Sequence, residues 1–166
     1  MKKFFMGLGI VFLLIIIAGV IAFSLAAYSG TKLDKSSKIY VDEVAPTIFA
    51  SWNSQELVNR ASPELLKVVP LDKLDATFHI LSEKLGKLKE YKESKGDCHI
   101  DISPSGKVVT ATYLVRAVFE KGDAETKVIL IQHNNRWQIA GFFVDSEVLL
   151  LPDVRNVAKD SVPPAE

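Results

Sequence analysis

The chain is poor in residues that usually declare a function. Its one cysteine, Cys98, allows no intramolecular disulfide and no cysteine-rich metal site. It does not directly follow an apolar segment, which excludes the usual lipoprotein arrangement. No glycine-rich phosphate loop follows a strand pattern, and there is no nucleophile elbow. Ser103-Pro104-Ser105-Gly106 reads as a turn. Charge is balanced, 20 basic residues against 20 acidic, and −2 once Lys2 and Lys3 are set aside. A near-neutral domain is a poor nucleic-acid binder. No motif implies a cofactor.

What the chain does have is one long apolar run. Residues 4–31 carry no charged side chain, and Phe4 to Phe23 are almost all apolar. Twenty helical residues at about 1.5 Å each span roughly the 30 Å hydrocarbon core of a bilayer. The run therefore reads as a transmembrane anchor over residues 1–27. A cleavable signal peptide is the rival reading, with Ser24-Leu25-Ala26 or Ala27-Tyr28-Ser29 as the cleavage site. The length of the run favours an uncleaved anchor. Lys2 and Lys3 precede it and Lys32, Lys35 and Lys38 follow, so lysine counts hardly orient it. A very short basic start usually stays in the cytoplasm. The larger C-terminal part is thus expected outside, and the Met-Lys-Lys start looks bacterial. The expected location is the bacterial inner membrane, single-pass, with the domain in the periplasm.

From Lys32 onward about 135 residues remain, enough for one domain with its own core. Residues 28–35 read as a polar linker. Tyr40, Val44, Ile48 and Trp52 recur every four residues and predict a helix from about Ser36 to Trp52, with Pro46 inside it. Asn53-Ser54-Gln55-Glu56 and Ser62-Pro63-Glu64 are helix starts. Leu71, Leu74, Phe78, Leu81, Leu85 and Leu88 share one face and predict a further helix from Leu71 to about Glu93. From Lys95 the period changes to two. Four strands follow, turned at Ser103–Gly106, Gly122-Asp123 and Asn134-Asn135. Residues 36–150 thus predict an α+β domain, three helices packed on a curved four-stranded antiparallel sheet behind the transmembrane helix. Residues 151–166 read as a flexible tail.

The element order, and the last hairpin Asn134-Asn135-Arg136-Trp137-Gln138-Ile139-Ala140-Gly141-Phe142, resemble the nuclear transport factor 2-like (cystatin-like cone) superfamily. Trp52 followed by Ala61-Ser62-Pro63-Glu64-Leu65 is similar to small bacterial members of unknown function. The layout also resembles the bitopic assembly component of type IV secretion systems. One departure is that Lys67-Val68-Val69-Pro70 is too short for the hairpin many members carry there. The resemblance implies a curved sheet around the first helix and frequent dimerisation. The superfamily hosts isomerases, dehydratases, transport factors and assembly modules, so the fold alone selects no function.

Two sets of side chains merit weighing. An isomerase-like site needs an Asp base and a Tyr donor inside the cone. Tyr113 alternates with Val109, Ala111, Val115, Ala117 and Phe119 on the apolar face of its strand, and Asp145 lies two residues beyond Phe143. The bland alternative is a core tyrosine and a strand-end acid. His99, Asp101 and His133 form a weak metal pattern, because alternation puts any i, i+2 pair on one face. They read as solvated strand residues. The leading expectation is a membrane-anchored interaction or assembly module without catalytic activity, with a protein partner or a second copy. A small-molecule binder or isomerase using the cone interior is the alternative. Trp137 is expected to face the helices near Trp52 or Phe49, on one strand face with Ile139, Gly141 and Phe143.

Overall fold

The computed structural model describes residues 31–104 and 106–150. Helix α1 covers the described residues 31–51 and continues through Pro46. It is followed by α2 (Ser54–Val58), α3 (Pro63–Val68) and α4 (Leu71–Leu85), then strands β1 (Leu88–Ser103), β2 (Gly106–Phe119), β3 (Asp123–His133) and β4 (Arg136–Asp145), and a last turn of helix α5 (Glu147–Leu150). The strands form one antiparallel sheet in the order β1-β2-β3-β4. The fold is α+β, helices first.

Four helices precede the sheet where three are expected, because residues 59–62 split the second into α2 and α3, and the architecture needs correcting in three further places. First, no helix among the described residues is long and apolar enough to cross a membrane. The anchor expected over 1–27 and the tail over 151–166 lie outside the described residues. Second, α1 takes in residues 31–35, which the sequence reads as linker. Leu33 packs on the core, and Ser36 and Ser37 bond back to its carbonyl. Third, α4 ends at Leu85, eight residues before Glu93. Gly86 follows with φ 76°, a left-handed conformation that ends the helix. From Leu88 onward the chain is extended and paired with β2, Leu88 opposite Phe119. Leu88 does reach the core, but from a strand. Pairing along β2 outweighs the helix preference of the Lys- and Glu-rich stretch.

The core lies between α1 and the inner face of the sheet. Val41, Val44, Ala45, Ile48, Phe49 and Trp52 of α1 meet Val109, Ala111, Tyr113, Val115, Ala117 and Phe119 of β2. Trp52 closes α1 in a left-handed conformation, φ 45°. Its indole Nε1 donates to the Gly86 carbonyl at 2.9 Å, joining the ends of α1 and α4. The β3–β4 turn matches its sequence signal: Asn134 and Asn135 have φ 50° and 60°, as a tight hairpin requires.

Register along β4 departs from simple alternation. Ile129 pairs with Gly141 and Leu130 with Ile139, so Ala140 is an extra residue, a β-bulge. It reverses which residues face inward. Trp137 and Ile139 are buried before it, and Phe142 and Val144 pack on the core after it. Phe143, expected inside, is 59% exposed. Trp137 does face the helices, but its Nε1 donates to Ser36 Oγ at 3.0 Å, near the start of α1. Phe49 and Trp52 lie at that helix's other end.

Truncating Trp137 to Ala removes a buried indole and its hydrogen bond. The expected cost is about 3–5 kcal/mol, a large part of the usual stability of such a domain. Thermal melts are expected to show Trp137→Ala unfolded or melting far below the parent, with His99→Ala within a few degrees of it. A Trp137→Ala protein melting like the parent would contradict this packing.

Candidate functional site

Among the described residues, packed side chains fill the space between the helices and the sheet. Phe49, Trp52, Phe78, Phe119 and Phe142 form one aromatic cluster. Trp52 lies 5.3 Å from Phe119 and 6.1 Å from Phe78, and Phe49 meets Phe119 edge-on at 5.4 Å. Between α1 and the sheet a cavity of about 10 Å³ remains, lined by apolar residues such as Val44, Ile48 and Leu130. That is room for one water at most. One buried hydroxyl of β3, Thr126 Oγ1, has no hydrogen-bond partner.

Tyr113 points inward as the alternation predicts and is fully buried. Its hydroxyl shares a 2.9 Å hydrogen bond with Ser37 and donates to the Asp34 carbonyl at 3.2 Å. Burial raises its pKa. It ties the sheet to the start of α1. Asp145 lies elsewhere. It is exposed and sits opposite Glu125, which sits opposite Arg116. Those three belong to the outer face, whereas Tyr113 belongs to the inner one. The sheet itself separates the proposed donor from the proposed base. Asp145 instead borders an open groove of about 850 Å³ with Glu93, Arg116, Asp123, Glu125 and Glu147. Arg116 there is held by Glu125 at 3.1 Å and faces Glu93 at 3.7 Å.

His99 and Asp101 meet at 3.4 Å on the exposed face of β1. His133 faces Gln138 at 2.9 Å and Glu64 at 3.5 Å instead of joining them. Among the described residues no group of three or more His, Cys, Asp or Glu is placed to hold a metal.

Two features escape the sequence reading. One is a polar cluster joining α1 to β1. Asp42 accepts from the Tyr91 hydroxyl at 2.6 Å, from Ser94 Oγ, and from Lys38 Nζ at 3.0 Å. Lys38 also donates to the Ser94 carbonyl and hydroxyl. Burial alone would raise the Asp42 carboxyl, but the hydrogen bonds from Ser94, Tyr91 and Lys38 outweigh it and hold it below its usual range. Burial and the Asp42 bond push the Tyr91 hydroxyl up. The Lys38–Asp42 spacing of four was the available signal. The chemistry of the cluster is adhesive: it fastens the edge strand to the helix.

The second feature is the outer face of the sheet. Leu114, Lys127 and Phe143 are direct neighbours across β2, β3 and β4. Leu114 is 43% exposed and Phe143 is 59% exposed. A Cβ added to Gly141 would lie 2.8 Å from the Phe143 ring and 3.2 Å from Ile129. The ring therefore lies over bare backbone beside Ile129. The result is a set of exposed apolar side chains on either side of Lys127, with Phe143 brought there by the bulge at Ala140.

Comparison with known proteins adds little. No known family and no curated protein matches the chain. Among solved structures, a SEC-C motif containing protein from Rhodopseudomonas palustris is similar at 13% identity, covering 60% of this chain and 72% of its own, with a TM-score of 0.36. A likeness at that level supports no assignment.

The Asp42 cluster makes a pH prediction. A carboxyl whose pKa is lower folded than unfolded adds stability above its unfolded value, about 3.9, and loses it as pH falls through the folded value. Melting temperature is expected to drop on acidification below about pH 4, and Asp42→Asn to start lower and drop less over that range. Parallel melting curves from pH 7 to pH 3 test this. Identical pH slopes would show that Asp42 is not stabilised by folding.

Proposed function

We propose that this chain is a membrane-held interaction or assembly module without catalytic activity, with a nuclear transport factor 2-like domain. The apolar run at residues 4–27 is its attachment to the bacterial inner membrane, and the domain faces the periplasm. The observation that carries the reading is the exposure of Leu114 and Phe143, beside the half-buried Ile129, on the outer face of the sheet. Monomeric soluble domains rarely leave large contiguous apolar patches uncovered. The partner is a protein, a second copy of the chain included. The aromatic filling of the interior counts against the alternative, a small-molecule binder or isomerase.

Phe143→Asp tests this, because it replaces the most exposed apolar side chain of the patch with a charge and leaves the core untouched. The detergent-solubilised parent is expected to self-associate at high micromolar concentration or to capture an envelope protein. Phe143→Asp is expected to do neither while melting like the parent. A parent that stays monomeric and captures nothing, or a variant that associates equally well, would overturn the reading.

A further inference from the structure

The domain is polarised along its strands. In an antiparallel meander the β1–β2 and β3–β4 turns lie at one end and the β2–β3 turn at the other. α1 starts at the first end: Asp34 accepts from the Cys98 amide at 2.7 Å, and Ser36 bonds Trp137. It finishes at the second, where Phe49 meets Phe119. The first end carries Lys32, Lys35, Lys107 and Arg136, all exposed. Four acids lie near it as well: Asp34, which accepts from the Cys98 amide, Asp101 beside His99, Glu64 beside His133, and the exposed Asp97. The second end carries Glu120, Asp123, Asp145 and Glu147 around the open groove and its turn.

The first end also carries a misplaced apolar residue. The β1–β2 hairpin runs on past the last β2–β3 pair, Thr110–Ile131. On this projecting tip Ile102 is 83% exposed, opposite Lys107. Val108, on the other face of the tip, is 44% exposed. The tip thus presents two exposed apolar side chains beside a lysine. It suits the boundary between lipid headgroups and acyl chains.

The sequence says what lies opposite this end. The proposed membrane segment ends between Phe23 and Ala27, so at most residues 24–30 separate it from the first described turn of α1. Seven residues reach at most about 25 Å. With the run held in a membrane, α1 starts close to that membrane.

We infer that the β1–β2 hairpin tip docks on an anionic bilayer surface, with Ile102 and Val108 in the interface and Lys32, Lys35, Lys107 and Arg136 over lipid phosphates. This rests on the membrane attachment proposed above. The strands then stand away from the membrane, the acidic groove points away from it, and the Phe143 patch faces sideways toward neighbours in the same membrane. Each lysine or arginine near an anionic surface is attracted to it, and the attraction fades with salt.

The test uses the full chain in vesicles of phosphatidylcholine, with or without phosphatidylglycerol. An environment-sensitive fluorophore is placed by Ile102→Cys in a Cys98→Ser background, and in a second protein by Lys121→Cys at the opposite end. Nitroxide-bearing lipids are expected to quench the Ile102 label at least about twofold more than the Lys121 label. Phosphatidylglycerol is expected to increase the difference, and salt or Lys107→Glu with Arg136→Glu to reduce it. The unlabelled parent and charge variants are followed by vesicle flotation and melting, so a misfolded label site does not decide the matter. A chain that floats with vesicles but shows equal quenching at the two sites overturns the docking and leaves the attachment intact. A chain that does not float with either vesicle overturns both.

Discussion

The apolar stripe of α1, from Val41 to Trp52, lies along the inner face of β2, and the other contacts are built around that seat. At the helix start, Ser36 receives Trp137 of β4, Ser37 meets Tyr113 of β2, and Asp34 receives the Cys98 amide of β1. In its middle, Asp42 and Lys38 hold Tyr91 and Ser94. At its end, Trp52 reaches the Gly86 carbonyl and so positions α4. One helix thus hydrogen-bonds to three of the four strands and, through Trp52, to the end of α4. Conformational entropy opposes ordering so long a chain, and a helix that closes many contacts at once is how a modest domain offsets it.

That arrangement consumes the groups that might have formed a site. Tyr113, Asp34 and Asp42 bond within the structure, and the aromatic rings fill the space between helix and sheet. The polar side chains that remain accessible are spread over the outer face and the two ends of the sheet. Binding through surfaces follows from this distribution more readily than chemistry in a cleft does, because general acid–base chemistry needs convergent groups around a substrate-sized space.

Much of this was legible in the residues. The spacing of Val44, Ile48 and Trp52 marks the buried side of α1, and the alternation along β2 puts Tyr113 inside. The pair Asn134-Asn135 marks its turn. What was not legible involves single residues whose effect depends on distant partners. Leu85 and Leu88 continue a helical spacing across Gly86, yet pairing with Phe119 draws Leu88 into a strand. The extra residue at Ala140 leaves no compositional trace, yet it moves Phe143 from the core to the surface and so creates the patch. The Asp42 cluster joins residues about fifty positions apart, beyond the reach of a local pattern.

The molecule divides into a closed inner face and an exposed outer face, which is the face proposed to bind. Methyl-resolved NMR of the protein at increasing concentration, and then with small apolar probes, tests that division directly. Leu114 and Ile129 are expected to shift with concentration, while Ile48, Leu130 and Ile139 stay unchanged under both conditions. Shifts at Ile48, Leu130 and Ile139 on adding an apolar probe, with Leu114 and Ile129 silent, would contradict it.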